Sequence, residues 1–341
     1  MKNINKSLLA AVLAIATVAS PKAFALEEVV RHYRGARSLG MGGLVTTTGI
    51  YEEALFGNPA MQAEDPTWKL SLLNTTIEVN DHLISDLSAV KDAKSASGSG
   101  VITTIADKGL MGRNEHERIT ILPIGIYIPH FFSENSAFAF NMILTESANI
   151  MLRSNAELDT QLFVDVGPNI GYAHRFLDGS LSVGVNLHLI YRVARDQTIR
   201  ATEFLTGTKL TPSAIAGQGI GIDGDLGVNY KLPFELGPVI KKVSVAASMS
   251  SLMQSTYRIA GKEIISSIKT SPPNNDRVFN VGARIDWPDL LVFTNSLFAI
   301  EMQDIGTTRR LSSFWKKVHF GGETHLTKLL AIRGGFNSGY I

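Results

Sequence analysis

Apolar and polar side chains alternate along most of the chain from residue 68 onward. Between Ser180 and Tyr191 every second residue is apolar, and the residues between them are serine, glycine, asparagine or histidine as far as His188. Because successive side chains of a β-strand point to opposite faces, this period of two predicts strands with one apolar and one polar face. The segments that repeat the pattern are 162–176, 220–231, 278–286 and 318–326.

The lengths of the strands and of their connections favour a membrane protein over a secreted β-sandwich. The alternating runs hold about 9–14 residues, enough for a tilted strand to cross a bilayer. Tight connections are expected at 130–135, 177–179, 233–238, 287–289 and 327–328, and long ones at 81–117, 148–160, 195–216, 258–276 and 303–314. Short turns at one end and long loops at the other are typical of outer-membrane barrels, which have an apolar outer face and a polar interior. The predicted fold class is therefore all-β, a transmembrane antiparallel β-barrel.

Aromatic residues gather near the predicted short turns. They are Trp68, Phe131, Phe132, Phe176, Tyr230, Phe234 and Trp287. Aromatic rings at this level are typical of the belts that lie at membrane–water interfaces. Pro123 and Pro168 fall inside predicted strands, where the missing N–H predicts a bulge or irregular pairing.

The first 25 residues are typical of a secretory signal peptide. Two lysines precede an apolar run at 7–20, and Ala23-Phe24-Ala25 fits an A-x-A cleavage site. The chain has no cysteine, which excludes a lipoprotein anchor, disulfides and thiol catalysis. Cleavage takes three lysines from 32 basic residues and nothing from 31 acidic ones, leaving 29 against 31. This balance gives no electrostatic argument for binding nucleic acid.

Residues 36–60 hold a glycine cluster and an Asn-Pro step ahead of the first strand. Gly40-Met41-Gly42-Gly43 has neither the dinucleotide-binding spacing nor the P-loop spacing, and no lysine follows it. The glycines permit positive φ and close packing against a wall. Asn58 followed by Pro59 predicts a helix N-cap with proline at the first helical position. These features predict a compact plug instead of a phosphate-binding loop.

The stretches RGARSLGMGG (34–43) and NPAMQA (58–63) resemble the N-terminal signature of the FadL-type superfamily of outer-membrane proteins, and LAIRGGFNSGY (330–340) resembles its PorV-like branch. The resemblance implies a Gram-negative outer-membrane barrel of about 12–14 strands at 68–341, with an N-terminal hatch at 26–67. The residues that it assigns to the hatch are Arg37, Gly40, Met41, Gly42, Gly43, Asn58 and Pro59.

The resemblance leaves two functions open. One is a channel for passive uptake of hydrophobic small molecules such as fatty acids, with membrane lipid and the solute as its partners. The other is a non-transporting accessory or anchor protein, whose partner takes part in secretion or surface assembly. A continuous apolar path from the long-loop end would favour the first, and a blocked lumen would favour the second.

Charged and histidine side chains on the polar parity are expected to line the lumen. They are Asp165, Arg175, His188, Asp223, Asp225, Arg284, Glu323 and Arg333. We expect them to pair across neighbouring strands and fill the interior. His319, Glu323 and His325 share a face, but their spacing of about 6.5–7 Å along a strand is too open for a compact metal site. We expect no metal and no cofactor, and no local motif ties a serine to a histidine as a lipolytic barrel enzyme requires.

The ends and faces of the barrel give further expectations. The pattern counts to eleven strands, whereas single-chain barrels have an even number, so either a strand is hidden at 148–160 or 195–216 or the closing segment is missing. The final residues favour the second, and we expect Phe336 near a sheet edge with a gap or strained seam against 68–79. Substitution of Leu187 by arginine should hinder membrane insertion, because Leu187 is on the lipid face, whereas substitution of Asn186 by arginine should be tolerated in the lumen.

Residues 81–108 predict a short surface helix followed by a flexible stretch, which is either a lid over the mouth of the barrel or a solvated loop.

Overall fold

The computed structural model describes residues 31–84, 86, 88, 92, 103–104, 107–109, 111–153, 157–199, 216–233, 240–254, 256–258, 271–290, 292–306, 314–327 and 329–338. The predicted signal peptide and most of the predicted surface helix at 81–108 lie outside these residues. Within the described ranges, no helix has the length and apolar character that a bilayer crossing needs.

Eleven strands in the described ranges form a single antiparallel sheet, with each strand hydrogen-bonded to the next along the chain. The strands are β1 (Lys69–Val79), β2 (Asn114–Pro129), β3 (Ser136–Leu152), β4 (Leu158–Phe176), β5 (Leu181–Ile199), β6 (Gly217–Lys231), β7 (Lys242–Ser250), β8 (Val278–Asp286), β9 (Thr294–Ile305), β10 (Val318–His325) and β11 (Ala331–Asn337). The antiparallel all-β part of the predicted fold class is confirmed.

The two faces of the sheet are as the alternation predicts. Between Ser182 and Leu189 of β5 the exposed side chains are apolar, namely Val183, Val185, Leu187 and Leu189. The buried side chains between them are polar, namely Ser182, Asn186 and His188. β6 repeats this arrangement, with Ile222 exposed and Asp223 and Asp225 buried. A water-soluble sheet buries its apolar face, so this sheet has the polarity of a protein surrounded by hydrocarbon.

Among the described residues, three short helical pieces precede the sheet. They are the α-helices Ala36–Gly40 and Glu52–Phe56 and the 3-10 helix Pro59–Ala63. The side chain of Asn58 accepts a hydrogen bond from the Ala60 N–H, and Pro59 is the first residue of its helix, which confirms the predicted cap. We call residues 31–68 the N-terminal segment.

One predicted long connection is wrong. β3 continues to Leu152 and β4 begins at Leu158, so the expected loop at 148–160 is reduced to five residues. The backbone pairing of β3 with β4 continues there, although polar side chains replace apolar ones. These polar side chains also bond to each other, since Asn149 Nδ2 donates to Gln161 Oε1 over 2.8 Å. Beside Pro123 the register of β2 against β3 shifts as expected. Pro168 stays opposite Met142 of β3 without a shift, but the pairing of β4 with β5 is interrupted at 167 and 168.

The sheet has two edges in the described part of the chain. β1 pairs with β2 and β11 pairs with β10, and the described strands show no pairing between β1 and β11. Phe336 therefore lies on an edge strand, as predicted. The described strands number eleven, fewer than the 12–14 that the resemblance implies. The aromatic residues Trp68, Phe132 and Phe176 are exposed near the short-turn end, as expected of an interfacial belt, while Phe234 lies outside the described residues.

Candidate functional site

The N-terminal segment lies directly against the buried, mostly polar face of the sheet, which we call the inner face; the exposed apolar face is the outer face. Wall glycines make this close approach feasible, because a Cβ added at Gly184 of β5 would lie 2.4 Å from the backbone carbon of Pro59. At Gly227 of β6 the added atom would lie 1.9 Å from the side-chain oxygen of Asn58. The predicted hatch residues Asn58 and Pro59 thus pack on β5 and β6 without intervening side chains.

The glycine cluster packs on the opposite part of the sheet. Gly42 and Gly43 have φ of 73° and 84°, a left-handed backbone that glycine adopts without strain. The Gly42 carbonyl accepts hydrogen bonds from His319 Nδ1 at 2.7 Å and from Asn337 Nδ2 at 2.9 Å. Met41 is fully buried against Leu297, and Gly40 lies beside Arg333. One segment therefore contacts strands from the middle of the sheet to β11.

Arg37 joins the segment to the wall through the carboxylate of Glu323. Arg37 donates from Nε at 3.1 Å and from Nη2 at 3.0 Å, and Arg333 donates to the same carboxylate. On its other side Arg37 Nη1 lies 3.6 Å from Glu53 Oε2. Three residues predicted separately, in the hatch and in the lumen wall, thus meet in one ion-pair cluster. His325 also contacts Glu323, whereas His319 contacts Gly42, and no described group of residues is arranged to hold a metal ion.

Glu301 of β9 is a second anchor of the segment, and the sequence pattern alone does not predict it. Its carboxylate accepts from the Val45 N–H at 3.1 Å, from the Thr47 N–H at 2.7 Å and from the Thr47 hydroxyl at 2.8 Å. Gln303 donates to the same carboxylate at 2.6 Å and to the Gly43 carbonyl at 3.0 Å. Glu301 and Gln303 alternate with Ile300 and Met302, so the period of two was the signal that could have placed them inside.

Asp165 is the centre of a largely buried network that also includes a residue not predicted from the sequence, Arg192. Arg192 Nε and Nη2 each donate to Asp165 over 2.7 Å, a bidentate pair between β4 and β5. His32 of the N-terminal segment contacts the same carboxylate at 2.9 Å. Asn275, in the loop before β8, contacts Arg192 Nη1 at 2.6 Å and His32 Nε2 at 3.0 Å. The network connects wall, segment and loop.

His188, Asp223 and Asp225 form a neighbouring group on β5 and β6. His188 Nε2 lies 2.8 Å from Asp225 Oδ2, and its Nδ1 lies 2.8 Å from the side-chain oxygen of Asn169. Asp225 accepts from the Ser251 N–H, and Asp223 accepts from the Met253 N–H. These contacts hold the start of the loop that follows β7 against the inner wall.

The remaining predicted lumen residues are Arg175 and Arg284. Arg175 is partly exposed near the short-turn end of β4 and donates to the Glu134 carbonyl at 2.6 Å. Arg284 donates to Asp286 of its own strand at 2.7 Å, and its Nη1 donates to the Thr47 carbonyl of the N-terminal segment at 3.5 Å. A further expectation, that arginine is tolerated at Asn186, is wrong. Asn186 is buried, and its Nδ2 donates to the Leu55 carbonyl at 2.8 Å, which leaves no space for a longer side chain.

An apolar cluster lies among these polar groups. Leu122 of β2, Ile143 of β3 and Ile190 of β5 are buried on the inner face, although that face was predicted to be polar. Aromatic side chains cover them, namely Tyr33 and Phe56 of the N-terminal segment and Tyr257 of the loop after β7. Ile190 follows His188 on the same parity, so this face of β5 changes from polar to apolar at one position.

Phe56 connects the apolar cluster with the polar groups. Its ring stacks on the His188 imidazole at a centroid distance of 5.6 Å with an interplanar angle of 15°. Its ring centroid also lies 5.6 Å from that of Tyr33. The site is therefore an apolar patch of the wall that is closed by two rings of the N-terminal segment and one ring of a loop.

Glu53 makes the docking of the N-terminal segment depend on pH. Burial raises the pKa of its carboxyl above the ordinary value of 4.5, although Arg37 and the Ser38 N–H oppose the shift. Because the docked state favours the protonated carboxyl, the stability that Glu53 contributes is fully present below its ordinary pKa and is lost as the pH rises through the raised pKa. Glutamine cannot ionise, so we expect the melting temperature of Glu53→Gln in detergent to rise relative to that of the unchanged protein as the pH increases through this window. Glu134→Gln in an exposed turn serves as control, and parallel pH curves for all three proteins would contradict the assignment.

Two adjacent glycines of β11 test the packing of the segment. A Cβ at Gly335 would lie 2.1 Å from the backbone carbon of Met41, whereas a Cβ at Gly334 meets nothing within 4 Å. We expect Gly335→Ala to destabilise docking by about 1–3 kcal/mol through overpacking, and Gly334→Ala to change it little. Limited proteolysis of the N-terminal segment in the purified protein measures the difference. Equal cleavage rates for the two variants would mean that the segment does not pack on β11.

Comparison with known proteins found no matching family model and no matching curated protein. Among solved structures, the Pseudomonas putida toluene transporter TodX is similar at 12% identity over 87% of this chain and 89% of that chain, with a TM-score of 0.40. A deltaS2 mutant of the TodX monoaromatic hydrocarbon channel is similar at 11% identity over 86% and 90%, with a TM-score of 0.43. At such values the likeness assigns neither a family nor an activity, and neither structure is of a PorV-like protein.

Proposed function

We propose that this chain is a passive channel of the Gram-negative outer membrane for hydrophobic small molecules, with the N-terminal segment as its hatch. Outward-facing side chains of β5 and β6 such as Leu187 and Ile222 are apolar and exposed, and most of the inward-facing ones, such as Asn186 and Asp225, are polar and buried. A wall of this polarity is stable in hydrocarbon and unfavourable in water. The apolar and polar faces therefore support an outer-membrane location.

The observation that carries the proposal is the apolar patch on the inner wall. A lumen that only needs to be filled and solvated has no need of Leu122, Ile143 and Ile190 on three strands at one level. Apolar lining is what a hydrophobic solute requires along its path, because it removes the solute from water. The rings that cover the patch belong to pieces of chain outside the wall, so the patch becomes accessible when these pieces move.

The proposed route begins at the long-loop end. A hydrophobic solute such as a fatty acid or an alkane is captured there, displaces Tyr257 and Phe56 from the patch, and passes as the N-terminal segment shifts. The polar contacts of Arg37, Glu301 and Asp165 hold the segment in its closed position between passages. Movement follows the concentration gradient of the solute, since the sequence shows no nucleotide-binding motif.

Uptake measurements test the proposal. Cells that produce the protein are expected to take up radiolabelled fatty acid or alkane faster than cells that lack it. Phe56→Ala is expected to increase this uptake further, because it removes a ring that closes the patch without altering the wall. Phe131→Ala removes an exposed ring near the short-turn end and is the matched control. Equal uptake by cells with and without the protein would refute the channel.

A specific observation also favours the accessory role as a second candidate. The N-terminal segment fills the inner face and is tied to it by several ion pairs, which is the closed interior expected of an anchor protein. The two roles differ in the effect of releasing the segment. In an anchor protein Phe56→Ala leaves uptake unchanged, and deletion of the gene disturbs the surface display of a partner protein.

A further inference from the structure

An apolar groove of about 600 Å³ crosses the outer face of the sheet from β6 to β10. One row of its lining consists of Val228, Ala247, Val281, Met302 and Val318, which are paired from strand to strand. A second row runs beside it from Tyr230 on β6 to Ile300 on β9. The groove therefore follows the hydrogen-bonding direction and not a single strand.

The groove exists because small side chains occupy its middle. Ala247 and Ala283 lie between the larger Tyr230, Met302 and Ile300. Its length corresponds to four inter-strand spacings, or about 19 Å. An acyl chain that spans one leaflet of the hydrocarbon core is roughly 15 Å long. One such chain therefore fits along a groove of this length.

A basic turn lies at the long-loop end of the groove. Phe314 lines the groove and belongs to the 3-10 helix Phe314–Lys317, which packs on β9, β10 and β11. Trp315 is exposed beside it, with its ring 5.6 Å from that of Phe314. Lys316 and Lys317 complete the turn. An aromatic pair followed by two lysines is suited to the level where acyl chains meet anionic headgroups.

We propose that this groove and the basic turn form a binding site for lipid A, the phosphorylated glycolipid of the outer leaflet. The inference rests on the proposed outer-membrane location, which places the long loops and hence Lys316 and Lys317 outside. One acyl chain lies in the groove over Ala247 and Ala283, and a phosphate of the glucosamine headgroup accepts hydrogen bonds from the two lysines. The site is on the outer face of the wall, so it is separate from the apolar patch inside.

The test uses the full mature chain, first inserted into phosphatidylcholine vesicles and then extracted in detergent for native mass spectrometry with added lipid. The probes are diphosphoryl lipid A, its dephosphorylated form and phosphatidylglycerol. Ala247→Phe with Ala283→Phe fills the groove, and Val185→Phe on β5 is the matched outward-facing control. Lys316→Gln with Lys317→Gln removes the charges, and Lys241→Gln at the opposite end is the control for charge.

We expect one diphosphoryl lipid A to be bound per chain. It should be retained about tenfold more strongly than the dephosphorylated form, because the dephosphorylated lipid cannot form the charged hydrogen bonds with the two lysines. Both double variants lose this retention and both controls keep it. Equal retention by the filled variant and Val185→Phe overturns the proposal, as does equal retention of phosphatidylglycerol. A chain that inserts into vesicles without discriminating among lipids overturns the lipid site alone. A chain that does not insert refutes the proposed membrane location and the lipid site with it.

Discussion

Asp165→Leu is expected to lower the free energy of unfolding by about 3–5 kcal/mol, because it leaves the buried Arg192 guanidinium without its counter-charge. Both side chains of the pair are almost completely buried, and Arg192 makes two hydrogen bonds of 2.7 Å to Asp165. Its other hydrogen bonds go to the uncharged oxygens of Asn275 and Pro273, and its guanidinium also lies over the rings of Phe163 and Tyr257. Urea unfolding in detergent micelles, followed by circular dichroism, measures the loss.

Variants at related positions separate the buried charge from the volume change. Arg192→Leu should destabilise less, since Asp165 keeps its contact with His32. The double variant Asp165→Leu/Arg192→Leu should cost less than the sum of the single changes, because it leaves no uncompensated charge. Arg153→Leu breaks the more exposed pair with Asp159 and should change stability by about 1 kcal/mol or less. Additive losses at 165 and 192 would show that the pair does not act as a unit.

The strands and their faces could be predicted because both depend on a local period. The alternation of Val185, Leu187 and Leu189 with polar residues requires only neighbouring positions to be read, and the structure confirms it. The loop predicted at 148–160 was wrong because apolar residues give way to polar ones while the strands continue. Hydrogen bonds such as the one from Asn149 to Gln161 sustain pairing there, and hydropathy does not report them.

The partners of the interior residues could not be predicted, because they depend on contacts between distant parts of the chain. Arg37 meets Glu323, 286 positions later, and the Thr47 hydroxyl meets Glu301, 254 positions later. Parity marks Glu323 and Glu301 as inward-facing but does not say which piece of the N-terminal segment lies over each. The glycines were more informative, since Gly42 and Gly43 adopt the positive φ that their clustering suggested.

The apolar patch is not predicted from the sequence for a different reason. The alternation predicts an interior that is polar on average, and this average does not single out Ile190, an apolar residue on the parity of His188. Leu122 lies beside the irregular register at Pro123, where alternation is an unreliable guide. An apolar residue on the polar parity is therefore the feature to look for, since here it indicates the candidate site.

Leu187→Arg is expected to make folding into a bilayer about 2–4 kcal/mol less favourable, because it places a charge on the lipid-facing side of β5 near the midplane. Leu187 is 40% exposed, and its neighbours on the same face are Val185 and Leu189, which are exposed as well. In a water-soluble protein the same exposed leucine could become arginine with a change within about 0.5 kcal/mol. The two environments thus give different results for one substitution.

Depth along the wall supplies the control for this experiment. Phe176 is also exposed but lies at the short-turn end of β4, so Phe176→Arg should cost only about 0–1 kcal/mol at the membrane interface. Both variants are folded from urea into phospholipid vesicles, and the fraction that becomes resistant to protease is followed against urea concentration. A large loss at Leu187 with a small loss at Phe176 requires a wall that crosses hydrocarbon. Equal tolerance at both positions would place the apolar face against something other than lipid and would remove the basis of the proposed channel.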